Sequence, residues 1–280
     1  MAIGSLRNIA SPLTAIINKR ILKMKTNSTI IFRIFIFLFC FIEAGTTCYA
    51  NDIDRDTLKV LFVGNSYTYM NNLPQITSII TNNCKTKLIT QKSCSGGATI
   101  KDHWQGNRGL RTKELISVGN YDIVVIQGQS REPINEKDSL LKYSALICDL
   151  IKEKGGKPYL FATWSREKVP QHQEVINDVY RTIALNTGAK LVPVGSSWKL
   201  AKKLRPEIEL YSFDGSHPSE LGTFLTACVF VSGILNELPE KLASPYSIKD
   251  MYGESVLLMY IDPLDVIFIK EIVKSHSIHK

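Results

Sequence analysis

Five short apolar runs, at residues 58–63, 87–91, 121–126, 158–162 and 190–194, alternate with stretches of helical periodicity, and this alternation restricts the chain more than any other feature. The third, Tyr121-Asp122-Ile123-Val124-Val125-Ile126, is the plainest, a nearly continuous row of branched apolar side chains such as a strand covered on both faces requires. Between the runs, residues 137–154 set Leu140, Leu141, Ala145, Leu146, Ile147, Leu150 and Ile151 at helical intervals, and Gly155-Gly156 closes that helix. Residues 171–186 read as a helix ended by Gly188, and a shorter helix is expected over 197–204. Strands that alternate with helices call for a parallel sheet with helices on both faces. Right-handed crossovers then make the expected fold α/β, a three-layer αβα sandwich with a mainly parallel, doubly wound sheet of about five strands.

Polar and small residues gather where these strands end. The first run passes directly into Gly64-Asn65-Ser66-Tyr67-Thr68, and Asn71-Asn72-Leu73-Pro74 then opens a helix with Ile76, Ile79 and Ile80 on one face. Ser66 therefore stands at the carboxyl end of a parallel strand, where open α/β sheets place their ligands. Taken alone it is either a helix cap or a nucleophile. The second run ends in Ser95-Gly96-Gly97-Ala98, whose glycines allow a ligand close to a backbone N–H. His103 and Trp104 follow, either lining a cleft or packing beneath a loop. The third run ends in Gln127-Gly128-Gln129-Ser130, two amides able to donate to a developing oxyanion or to satisfy loop backbone. The fourth ends in Thr163-Trp164-Ser165.

Beyond the fifth run, Asp214-Gly215-Ser216-His217-Pro218 precedes a broad apolar helix with Pro218 expected in its first turn. An aspartate three positions before a histidine can fix the imidazole tautomer and leave the other ring nitrogen facing outward. The last forty residues, 241–280, carry apolar clusters that pack on the sheet or form an extra helix.

The formal charge of +8 does not describe the body of the chain, because residues 1–50 hold six basic residues and one acid and so carry +5 of it. The remaining +3 gives no case for a nucleic-acid-binding surface. The same fifty residues include the apolar run 34–42, preceded by basic residues and followed by small ones up to Ala50. They are expected to be a signal peptide cleaved near Ala50, starting at Met1 or Met24, or a retained membrane anchor. Residues 51–280 are then a single exported domain without membrane contact after cleavage. Cys84, Cys94, Cys148 and Cys228 remain, and buried thiols are expected, since the strand between Cys84 and Cys94 holds them roughly 30 Å apart.

Four of these blocks together resemble the SGNH hydrolases, the GDSL-type esterases and lipases. Gly64-Asn65-Ser66 resembles the first block, with asparagine replacing the usual aspartate before the serine; Gly97 resembles the second, and Asp214-Gly215-Ser216-His217 resembles the last. The third block departs from the family, because Gln127-Gly128-Gln129 stands where Gly-x-Asn-Asp is usual, with Gln129 aligning most naturally and Gln127 also placed to serve. The resemblance implies a flavodoxin-like sheet and a Ser66, His217, Asp214 triad. It implies an oxyanion hole from the N–H groups of Ser66 and Gly97 with Gln129 or Gln127, and no metal or organic cofactor. The implied substrate is a small-molecule or glycan ester, a short-acyl and above all O-acetyl ester of a carbohydrate, with Asn65, His103, Trp104, Trp164 and His172 as candidate contacts. The rivals are a non-catalytic glycan-binding module on the same scaffold and an O-acyltransferase.

Overall fold

Val60, Leu61, Phe62 and Val63 are all fully buried, because helices cover both faces of the strand they form, β1 (Thr57–Gly64). The structure is a computed structural model that describes residues 56–242 and 244–277; the expected signal peptide and its cleavage point lie outside the described residues. Four more strands, β2 (Lys87–Cys94), β3 (Ile123–Ile126), β4 (Lys157–Phe161) and β5 (Lys190–Val192), join β1 in one parallel sheet of order 2-1-3-4-5. That order is the flavodoxin-like one, and its topological switch point lies where β2 and β3 flank β1.

The helices are α1 (Ser66–Tyr69), α2 (Leu73–Ile80), α3 (Ile100–Gln105), α4 (Thr112–Val118), α5 (Glu132–Asn135), α6 (Lys137–Glu153), α7 (His172–Thr187), α8 (Val194–Leu204), α9 (Glu220–Leu235) and α10 (Pro263–Ser277). Alternate residues of each strand face opposite layers. Val60, Phe62, Ile123, Val125 and Phe161 enter a core with α2, α8, α9 and α10. Leu61, Val63, Val124, Ile126 and Leu160 enter a second core with α3, α4, α6 and α7. The expected three-layer sandwich is the observed fold.

Departures from the expected boundaries have local causes. β2 runs three residues past the apolar stretch because it is an edge strand held by pairing up to Gly64↔Cys94, with Gln91 and Lys92 in solvent. The fifth run stops at Val192, since Val194 already belongs to α8. Pro218 lies outside α9; Ser219 caps that helix by accepting the Gly222 N–H at 3.0 Å. The C-terminal stretch forms a hairpin of β6 (Tyr246–Lys249) and β7 (Ser255–Met259) followed by α10, and Met259, Ile269, Ile272 and Val273 extend the first core. Cys94, Cys148 and Cys228 are free thiols, and burial pushes Cys148 up to about 11 and Cys94 up to about 12, which makes them inert at neutral pH.

Candidate active site

The turn after β1 is closely packed around its first residue. A Cβ on Gly64 would collide with Gln127 Oε1 and Thr68 Oγ1. The Gly64 carbonyl accepts His103 Nε2–H at 2.9 Å, and His103 Nδ1 accepts Thr112 Oγ1–H at 2.7 Å. Burial pushes His103 down to about 4, so the ring is neutral and this single tautomer satisfies both partners. Asn65 caps α1 by accepting the Tyr67 N–H at 3.1 Å and donates Nδ2–H to the Ala98 carbonyl at 3.0 Å. Gln127 Oε1 accepts the Asn65 N–H and Thr68 Oγ1–H, each at 2.9 Å. Ser66 is thereby held half-buried as the first residue of α1.

The loop before α9 brings His217 to it. His217 Nε2 lies 2.8 Å from Ser66 Oγ, and His217 Nδ1 lies 2.5 Å from Asp214 Oδ2. Gly215, at φ +63, supplies the left-handed residue that lets Asp214 fold back, and Asp214 Oδ1 accepts the N–H groups of Ser216 at 3.0 Å and His217 at 2.9 Å. Burial alone would raise the Asp214 carboxyl, but the His217 ring and those two N–H groups outweigh it and hold it down at about 2. An ionised Asp214 keeps the proton of His217 on Nδ1, so Nε2 is free to accept the Ser66 Oγ–H.

Aromatic packing fixes this loop against the serine turn. Tyr67 stacks on Trp164 at 4.7 Å and Trp164 on Trp198 at 3.9 Å, while Trp164 Nε1–H donates to the Ser216 carbonyl at 2.9 Å. Asn71 Nδ2–H donates to the Pro218 carbonyl and to Thr223 Oγ1, both at 3.0 Å.

No family model matches the chain, and no curated protein sequence does. Solved structures do. A protein of Slackia heliotrinireducens described as an SGNH hydrolase is 23% identical, with a TM-score of 0.54 over 64% of this chain and 100% of its own. A DUF4886 family protein of Bacteroides uniformis is 16% identical with a TM-score of 0.63, covering 80% of this chain and 95% of its own. The acetyl xylan esterase AlAXEase is 18% identical with a TM-score of 0.52, covering 63% of this chain and 100% of its own.

This chain has the SGNH-hydrolase fold.

Within the SGNH fold, the second block lies beside the first. The Ser95 N–H donates to the Gly64 carbonyl at 3.4 Å, and the Ala98 N–H closes a turn on the Ser95 carbonyl at 3.1 Å. Gly97 occupies that turn at φ +64, and the space where its Cβ would stand is open. Its N–H, like that of Ser66 in the first turn of α1, has no acceptor among the described residues. In the third block the two glutamines part. Gln127 is fully buried beneath the serine turn, and its Nε2–H donates to the Gly128 carbonyl, so neither end reaches Ser66 Oγ. Gln129 Oε1 accepts the Arg131 N–H at 2.7 Å, which leaves Nε2 without a partner among the described residues.

Three of the expected substrate contacts are structural in this SGNH fold. Asn65, His103 and Trp164 are buried and fully engaged, the first two under the serine turn and the third under the His217 loop. Trp104 packs on the second core with Lys113 Nζ 4.9 Å above its ring. His172 begins α7 and lines a cavity at the ends of β3 and β4. Tyr67, Asn71 and Ser216 escape sequence reasoning because their partners are remote in the chain. Glu132 escapes it too: buried, it accepts the Gln129 N–H at 2.5 Å and the Ile100 N–H at 3.3 Å, which joins the second and third blocks.

Proposed function

We propose that this protein is an exported serine esterase that removes short acyl groups, acetyl above all, from a carbohydrate. The unbroken chain from Asp214 through His217 to Ser66 Oγ carries the reading, because it is the arrangement that makes a serine hydroxyl nucleophilic at neutral pH. His217 Nε2 takes the hydroxyl proton as Ser66 Oγ attacks the ester carbonyl, and Asp214 stabilises the imidazolium that forms. The N–H groups of Ser66 and Gly97, with Gln129 Nε2 as the third donor, receive the oxyanion. His217 returns its proton to the departing alcohol, leaving acyl-Ser66. Water then attacks with His217 again as base, releasing the acid and restoring the serine.

Two observations support the carbohydrate ester. Phe213, which precedes Asp214 in the chain, stands fully in solvent, an exposed apolar ring against which the C–H face of a sugar can lie. One protein of the same fold is an acetyl xylan esterase. Export is supported by the basic and apolar pattern of residues 1–50; among the described residues no helix is long and apolar enough to cross a membrane.

The test is hydrolysis of 4-nitrophenyl acetate by the wild type and Ser66→Ala, with fluorophosphonate labelling and peptide mapping. Turnover lost in Ser66→Ala and label on the Ser66 peptide are expected. Equal, near-background rates for both proteins, the result a pure binding module gives, would overturn the esterase reading.

A further inference from the structure

Next to the Ser66 site a cavity of about 310 Å³ opens between the loops that follow β3 and β4, lined by Ser130, Ile134, Ser165, Arg166, Val169 and His172 among others. Tyr67 links it to the triad. The Tyr67 hydroxyl bonds Ser216 Oγ at 2.7 Å and its ring lies 5.6 Å from that of His217, while Ser130 and Arg166 stand close enough to its phenol to act on its ionisation. The loop of Arg166 is also tied to the histidine loop, since the Glu167 N–H donates to the Gly215 carbonyl at 2.9 Å and Tyr211 O–H to the Ser165 carbonyl at 2.8 Å. Volume and position suit a substrate subsite.

Its charge is uncompensated. The lining includes Arg131 and Arg166 and no acidic residue. Arg166 Nη2–H donates to Ser130 Oγ at 3.1 Å, which orients the guanidinium, yet its Nε–H is buried without an acceptor among the described residues. Arg166 forms no ion pair with any described carboxylate; its neighbour Glu167 turns toward Gly215 instead. A guanidinium stays charged at any physiological pH and its planar fork matches a carboxylate. A partly desolvated cation without an anionic protein partner is unfavourable until an anion joins it. Ile134, Val169 and Ile176 add an apolar wall suited to the C–H face of a sugar ring.

We infer that this cavity is a subsite for a carboxylate-bearing sugar, with the Arg166 guanidinium binding the carboxylate, so that the substrate is an ester of an acidic glycan. This rests on the esterase reading for the ester but not for the binding site.

The probes are methyl galacturonoside and methyl galactoside, which differ only in carboxylate against hydroxymethyl, used mono-O-acetylated for kinetics and unacetylated for binding. The wild type is expected to show kcat/KM at least tenfold higher for the acidic ester, chiefly through KM, with the difference shrinking as KCl rises from 50 to 500 mM. Arg166→Gln is expected to lower the acidic-to-neutral ratio at least tenfold and Arg166→Lys to retain part of it. Circular dichroism checks each fold; should Arg166→Gln fail to fold, Ser130→Ala, which releases the guanidinium, takes its place. Saturation-transfer NMR on Ser66→Ala reads binding without turnover and should favour the acidic glycoside. A wild type that cleaves 4-nitrophenyl acetate but shows no acidic preference in rate, salt response or binding would overturn the subsite and spare the esterase. Acid-selective binding in a protein that cleaves no ester would do the reverse.

Discussion

Tyr67 and Ser216, 149 positions apart, share a hydrogen bond of 2.7 Å between their hydroxyls, and through it the residue after the serine holds the residue before the histidine. Ser216 contacts no reacting atom in the proposed mechanism, so the bond acts on the distance from His217 Nε2 to Ser66 Oγ. Tyr67→Phe keeps the stacking on Trp164 and removes the bond, whose net worth is about 0.5–1.5 kcal/mol. A kcat lowered roughly two- to tenfold is expected, with KM for 4-nitrophenyl acetate little changed. A rise in KM at constant kcat would place Tyr67 in substrate binding instead.

In the proposed mechanism Asp214 has a sharper role. Asp214→Asn can still accept a backbone N–H but no longer holds the proton of His217 on Nδ1, so Nε2 loses its function as base. A loss of about a thousandfold or more in kcat is expected, with the fold intact by circular dichroism. Activity within tenfold of wild type would exclude Asp214 as the orienting carboxylate.

How much of this was legible depends on where each signal lives. The five strands were readable because burial on both faces leaves unmixed apolar runs such as 123–126; the edge strand β2 was underestimated because half of it faces water and resembles a loop. The Asp214 and His217 pair is local, three residues within one turn, and so was visible in one dimension. The burial of Asn65, His103 and Trp164 could not be read from the chain, because a polar or aromatic residue near a strand end looks the same whether it faces a ligand or the underside of a turn. Only the tertiary partners Ala98, Gly64 and Ser216 distinguish the two. The C-terminal hairpin was missed because its strands present mostly exposed residues, giving little periodic signal.

The two glutamines of the third block separate by experiment. Removing Gln127 strands the buried Asn65 N–H and the Thr68 hydroxyl, at about 1–3 kcal/mol for each unsatisfied group. Gln127→Ala is therefore expected to unfold at clearly lower urea, whatever its activity. Gln129→Ala is expected to keep wild-type stability within about 1 kcal/mol and to lose about 100-fold in kcat or more, the usual effect of deleting one oxyanion donor. The opposite pattern would assign the third donor to Gln127.

His103 and Glu132 make opposed contributions to stability as pH changes. Burial lowers His103 to about 4 from an ordinary value of 6.5, so between these values the unfolded chain binds the extra proton and stability rises with pH. Burial raises Glu132 to about 7 from 4.5, despite the Gln129 and Ile100 N–H groups, so in that interval the folded chain binds the extra proton and stability falls with pH. Each slope approaches about 1.4 kcal/mol per pH unit. They overlap between 4.5 and 6.5, where they cancel. The low carboxylates Asp102 and Asp214, both at about 2, act below that window. Urea unfolding of the wild type at pH 4.5, 5.5 and 6.5 should therefore show nearly constant stability. Glu132→Gln should leave the histidine slope alone, gaining about 2 kcal/mol across the window, and His103→Gln should lose about as much. Flat profiles for both variants would mean that neither group titrates as its burial requires.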